Sequence, residues 1–241
     1  MITLQPHQQT LRDNSPPKNS WITLGNVAVD SGGQGVPVLS DSTTQVMLGD
    51  LRPQDRAEQS SLDSEVITYV RAGMVAYEDC LGDRGLIGAG EFARATAQQG
   101  TSYTVTNAST KDWARVYQIW LRSSADAKDA RHEQKRFSTA ERRGTLRVVA
   151  SRDGREGSLR IQQDVLLFSA ELPKGTHVVH ALGSGRCVWL HLVEGALKVG
   201  ELRLKTGDSI EVVDELSVSV TATAESELLL LDRVIPVANG V

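Results

Sequence analysis

Along most of the chain, apolar residues arrive in short runs that are rich in β-branched and aromatic side chains and are cut by glycine. Val66-Ile67-Thr68-Tyr69-Val70, closed by Gly73, is a clear example. Runs of this kind predict strands. By this pattern strands lie near 21–29, 44–51, 65–71, 74–79, 101–107 and 114–121. A second set lies near 145–150, 158–162, 165–171, 177–182, 186–193, 196–204, 209–213, 217–222 and 226–232. Turn residues separate them, among them Gly82-Asp83, Asp153-Gly154, Pro173-Lys174-Gly175 and Gly207-Asp208. No long helical period competes, so the pattern predicts an all-β chain of sandwich or barrel type.

One stretch breaks the pattern. Residues 123–143, SSADAKDARHEQKRFSTAERR, carry six cations and four anions with almost no apolar content. Mixed charge at this density predicts a solvated linker or a short surface helix. It divides the chain into a first barrel over 1–122, with a divergent opening over 1–43, and a second barrel over 144–241. The two halves echo one another. Val70-Arg-Ala-Gly73 is followed by a strand and then Gly88-Ala-Gly-Glu91, as Leu192-Val-Glu-Gly195 is followed by a strand and then Lys205-Thr-Gly-Asp208. The repeat suggests a duplicated barrel.

Composition narrows the function. With 241 residues, 40% hydrophobic and 23% charged, the chain can bury a real core. A net charge of −4 argues against direct nucleic-acid binding. The longest apolar run, Leu228–Leu231, is far short of a membrane span. The opening MITLQPHQQTLRDNS has neither the basic lead nor the apolar stretch of a signal peptide, so a cytoplasmic location is expected. Cys80 and Cys187 are too few for a disulfide framework and read as reduced thiols.

The block EVITYVRAGMVAYEDCLGDRGLIGAGEF resembles the first motif of the pirin-like bicupins, the family that includes pirin and bacterial quercetin dioxygenases. Arg115–Leu121, His132–Phe137 and Gly157–Asp164 are similar to three further segments of that family, in the same order. The resemblance runs from about Thr44 onward. It implies two antiparallel cupin barrels (double-stranded β-helix, or jelly-roll) packed together, with the C-terminal segment returning to the first. It also implies a metal site built from a His-x-His pair and a later His and Glu. In this sequence those four positions are Gln59, Ser61, Tyr103 and Val105.

None of the four is the family's ligand. No histidine occurs between His7 and His132, so the first barrel offers no imidazole where transition-metal sites need one. No metal and no other cofactor is therefore expected. A rearranged carboxylate site using Glu58, Asp63 or Glu65 is the alternative. Placed by the Gly73/Gly195 echo, the second half has Ala181 and Gly183 at the leading ligand positions. His177, His180 and His191 miss them and read as surface or hydrogen-bonded core histidines.

What remains is hydrogen-bonding chemistry. Gln59, Ser61, Tyr103, Val105 and Gln118 are the candidate ligand-binding residues, with strand parity at Gln118 open. Tyr103 as proton donor and Glu65 as base of raised pKa are the candidate catalytic groups. The sequence therefore suggests a metal-free bicupin that binds a small organic ligand or a partner protein in a regulatory or accessory role. The alternative is a metal-independent isomerase, cyclase or lyase working in the first barrel, and behind it an oxygenase of the quercetin dioxygenase type.

Overall fold

A computed structural model describes residues 2–5, 20–26, 44–60, 64–79, 82–97, 102–122 and 132–235. The first strands in chain order are β1 (Ile2–Gln5), β2 (Ser20–Asn26), β3 (Thr44–Leu51), β4 (Arg56–Ser60), β5 (Ser64–Ala72) and β6 (Met74–Glu78). They are followed by β7 (Arg84–Gly88), β8 (Glu91–Ala97), β9 (Ser102–Asn107), β10 (Ala114–Arg122) and β11 (Glu133–Arg136). A one-turn helix α1 (Thr139–Arg142) precedes β12 (Arg147–Ser151), β13 (Leu159–Arg160), β14 (Val165–Leu172), β15 (His177–Ala181) and β16 (Arg186–Glu194). The last are β17 (Ala196–Val199), β18 (Leu202–Lys205), β19 (Ser209–Val212), β20 (Ser217–Ala222) and β21 (Ser226–Val234).

The chain divides into two compact units. In the N-terminal unit, one sheet has the order β11-β8-β5-β10-β3-β2 and the other β4-β9-β6-β7. Between them lies a core of Val66, Val70, Val75, Tyr77, Ile87, Tyr103, Val105, Val116 and Trp120, drawn from both sheets. In the C-terminal unit the sheets are β1-β19-β16-β21-β14-β12-β13 and β15-β20-β17-β18. Its core is aliphatic, with Leu190, Leu192, Leu197, Val220, Leu228 and Leu230 at its centre. Neighbouring strands are antiparallel throughout except β12 with β13.

The echo seen in the sequence is a repeated piece of geometry. Gly73, between β5 and β6, has φ +80°, and Gly195, between β16 and β17, has φ +101°. A Cβ would meet Trp113 O at 2.8 Å in the first and Glu225 O at 2.2 Å in the second, so both turns need glycine for space as well as for backbone angle. The paired turns downstream match too. The Gly90 N–H donates to Val70 O, and the Gly207 N–H to Leu192 O, each at 2.8 Å. The following acid then folds back on the N–H three residues earlier: Glu91 accepts from Gly88 at 2.6 Å and Asp208 from Lys205 at 2.9 Å.

Several features differ from the sequence expectation. Ile2–Gln5, assigned to the first barrel, pairs antiparallel with Ser209–Val212 and so belongs to the C-terminal unit's sheet. Strand β21 lies between β14 and β16, and the expected return of the C-terminal segment to the first barrel falls beyond it. Residues 236–241 lie outside the described residues. The charged segment is not all linker, since β11 edges the six-stranded sheet against β8. Its Gln134 donates to Leu86 O at 3.0 Å and to Glu91 at 2.9 Å. Strands β4, β7 and β8 were missed as well. RAEQS and EFARATA carry too few β-branched residues to register, and their strand state comes from pairing with β9 and β5.

Gly195→Ala is expected to destabilise the chain by more than the about 1–3 kcal/mol that backbone strain alone costs, because the new methyl group also overlaps Glu225 O. Chemical denaturation against wild type measures it, with exposed Gly200→Ala as the milder comparison.

Candidate functional site

Strands β5 and β10 are buried along nearly their whole length, so both of their faces carry meaning. Successive side chains alternate between faces. On β5, Val66 and Val70 enter the unit's core, and Thr68 between them shares that side. On β10, Val116 and Trp120 enter the same core, which settles the parity of Gln118: it points inward. Thr68 and Gln118 are directly opposite one another in the β5–β10 register.

Opposite them, β9 supplies Tyr103 and Val105, both fully buried in that core. The Tyr103 hydroxyl lies 3.4 Å from Thr68 Oγ1. Its ring meets Trp120 edge-on at 6.4 Å and stacks toward Tyr77 at 6.4 Å. Burial raises the phenol pKa, with the Thr68 bond acting the other way, so Tyr103 keeps its proton through the working pH range. The backbone of Gln59, on β4, is in register with Tyr103. Ser61 lies outside the described residues, as do Asp63 and Cys80.

Two polar atoms in this interior have no hydrogen-bond partner among the described residues: Gln118 Oε1 and Trp120 Nε1. Gln118 is 1% exposed and Trp120 is 8% exposed, so bulk water does not satisfy them. Buried polar atoms are nearly always paired, and an exception marks a place for a ligand or an ordered water.

Glu65 does not share this interior, which corrects its assignment as a pocket base. It sits on the other face of β5, fully buried, where Oε2 accepts the Gln162 N–H at 2.7 Å and Oε1 takes Arg94 at 3.4 Å. Burial raises its pKa, opposed by the Gln162 N–H and the Arg94 charge. On that face Tyr69 stacks between Phe92 and Tyr117, at 4.3 and 6.1 Å. The carboxyl is therefore a structural anchor for the segment 161–163. Glu58 is exposed on β4.

His132 was placed in the linker by the sequence reading, but it packs on the N-terminal unit. Its ring lies flat on Tyr77 with centroids 4.2 Å apart, and its Nε2 is buried without a partner among the described residues. Burial lowers its pKa against the pull of Asp83 and Asp79. Trp120 was also missed, although it follows Gln118 by two residues and shares its face. In the C-terminal unit, the Asp232 carboxylate accepts from His180 Nε2 at 2.7 Å and from Arg186 Nε at 2.5 Å. His177 is exposed beside Thr221, and buried His191 bonds Ser209 at 2.9 Å. Cys187 is buried and free, and burial raises its pKa.

Residues 39–121 match the family model for pirin, and residues 148–233 match that of the quercetinase C-terminal cupin domain. Quercetin 2,3-dioxygenase of Escherichia coli K12 is 33% identical over 170 residues, spanning 70% of this chain and 72% of that protein. The chain belongs to the pirin-like bicupin family. A pirin-like protein of Caulobacter vibrioides is 30% identical over 171 residues, 70% of this chain and 73% of that one. Among solved structures, bacterial pirin YhhW of E. coli in complex with nickel(II) superposes with a TM-score of 0.76 at 24% identity, covering 98% of this chain and 100% of that one. The last likeness is one of fold.

The metal site that the pirin-like family implies does not fit the residues present at its positions in this chain. Val105 has no donor atom, and Tyr103 is a protonated phenol turned to Thr68. Gln59 and Ser61 are neutral where imidazoles are implied. Among the described residues, no group of three or more His, Cys, Asp or Glu is arranged to hold a metal ion. No described helix is long and apolar enough to cross a membrane.

Glu65→Ala is expected to cost about 3–5 kcal/mol, the usual effect of breaking a buried pair, read by chemical denaturation. His132 supplies a pH test. Its lowered pKa means that the unfolded chain takes up a proton near 6.5 before the folded chain does, so its contribution is full above that pH and is lost as pH falls. Between pH 8 and pH 5 the wild type should therefore lose more stability than His132→Phe.

Proposed function

We infer that this pirin-like bicupin is a binding protein whose N-terminal interior takes a small organic molecule without help from a transition metal. One observation carries the reading: Gln118 Oε1 and Trp120 Nε1 are buried, aimed into the core beside Tyr103, and unpartnered among the described residues. A group that needs a partner and has none in the folded chain is a ready recognition element. The aromatic surfaces of Tyr103, Trp120 and Tyr77 supply most of the contact area, and the orphaned atoms set orientation.

A metal-independent enzyme is the weaker reading. Glu65, its proposed base, lies on the opposite face of β5 and is already bonded at both oxygens. Tyr103 keeps its proton and shares a hydrogen bond with Thr68 Oγ1, which suits a wall of a binding site better than a proton shuttle. The family's dioxygenase chemistry is disfavoured by the donor set, since an apolar residue and a phenol stand at two of the ligand positions. A role in regulation, carried by ligand binding, fits a chain of this kind in the cytoplasm.

Elemental analysis of protein purified without chelators should find iron, nickel, copper and zinc well below one equivalent, and added metal should not produce flavonol cleavage. Near-equimolar metal would overturn the reading. Gln59→His, Ser61→His, Tyr103→His and Val105→Glu together should raise nickel affinity measurably if the backbone keeps the family geometry. A thermal-shift screen of aromatic metabolites should yield stabilising compounds, and a silent screen would count against ligand binding.

A further inference from the structure

The polar groups beside Gln118 and Trp120 in the N-terminal interior are all uncharged. Among the described residues these are the Thr68 and Tyr103 hydroxyls, the Gln118 amide and the Trp120 indole N–H, with the one imidazole of the unit, His132, lying beyond them on Tyr77. The ionic groups of the same strands are spent elsewhere. Glu65 and Arg94 pair on the other face of their sheet, and Arg115 pairs with Asp50 at 2.7 Å near the surface. An ion brought among these groups would lose its hydration with no opposite charge bonded to them, since the nearest carboxylate felt by Tyr103 is that of Asp79 beyond Tyr77, and that is more costly than burying a neutral group that makes its hydrogen bonds.

The two unsatisfied atoms also define a pattern. Trp120 Nε1 can only donate, and Gln118 Oε1 can only accept. They stand two residues apart on one face of β10, so a single ligand can reach both. The complementary molecule presents an acceptor to Trp120 and a donor to Gln118, and has a flat apolar body to lie among Tyr103, Trp120 and Tyr77. A carboxamide on an aromatic ring has this combination, a carboxylate lacks the donor, and an ammonium lacks the acceptor.

We propose that the N-terminal site selects uncharged aromatic ligands of the carboxamide class, with Trp120 and Gln118 as the specificity-determining residues. The proposal rests on the reading of that interior as a binding site, and it adds the charge and hydrogen-bonding class of what binds there. It also accounts for the two described residues at the family's metal positions, since the Tyr103 hydroxyl and apolar Val105 leave no ionic donor there to favour a charged ligand.

The test uses the intact chain and three probes of nearly equal size: benzamide, benzoate and benzylamine. Titrations are followed by the indole N–H resonances, with the Trp120 signal assigned by its absence from Trp120→Phe. Benzamide should move that resonance in a saturable way and bind at least tenfold more tightly than either charged probe. Gln118→Met, which keeps the length but removes the amide, should weaken benzamide at least fivefold while leaving the unfolding midpoint near wild type. Benzoate or benzylamine binding as tightly as benzamide at the same resonance would overturn the neutral-ligand proposal and leave the binding reading standing. If no probe moves the resonance while other aromatics in the thermal-shift screen do, the carboxamide class is wrong. If both experiments are silent, the site itself is wrong.

Discussion

Burial on both faces of β5 and β10 is the constraint from which the rest of the N-terminal unit follows. A strand with one wet face can leave its polar side chains to water, but these two cannot. Every buried polar residue on them has to be paired inside the protein or offered to something that enters it. Glu65 and Gln118 show the two outcomes on neighbouring strands. The carboxylate meets a backbone N–H and a guanidinium and becomes part of the structure. The amide oxygen meets nothing among the described residues, and neither does the indole N–H two positions along. Position relative to the pleat, more than residue type, separates an anchor from a candidate contact.

The two units use one set of devices for different ends. Each turns at a left-handed glycine where a Cβ would strike backbone, and each then fixes the next turn with a carboxylate folded back on a backbone N–H. These devices specify chain path, and they tolerate wide change between the sheets. The C-terminal unit fills that space with leucine and valine, and its His180 and Arg186 both bond Asp232. The N-terminal unit keeps aromatic rings and neutral polar groups there instead. A shared fold is thus compatible with one unit that serves mainly as structure and another that carries the candidate site.

Membership of the pirin-like family brings an expectation of metal that the side chains do not support. Metal affinity depends on donor atoms, and an apolar residue at one ligand position with a protonated phenol at another leaves too few. The backbone frame can survive such a change, because the strands are held by pairing and packing that do not involve the ligands. On the reading proposed above, hydrogen bonds to an organic molecule take the place of coordination in this interior.

By itself the sequence determined the all-β class, the duplication with its Gly73 and Gly195 turns, the family, and the missing imidazoles. All of these depend on local periodicity, on glycine's access to positive φ, or on residue identity, which one-dimensional information carries. It could not decide the strand state of RAEQS or EFARATA, the pairing of Ile2–Gln5 with β19, or the contact of His132 with Tyr77. Nor could it show which face of β5 holds Glu65 or that Gln118 and Trp120 point together into one core. Those outcomes are set by which strands lie side by side and in what register. A shift of one residue would exchange the two faces, so only the folded sheet fixes which polar groups are satisfied and which are left to be met.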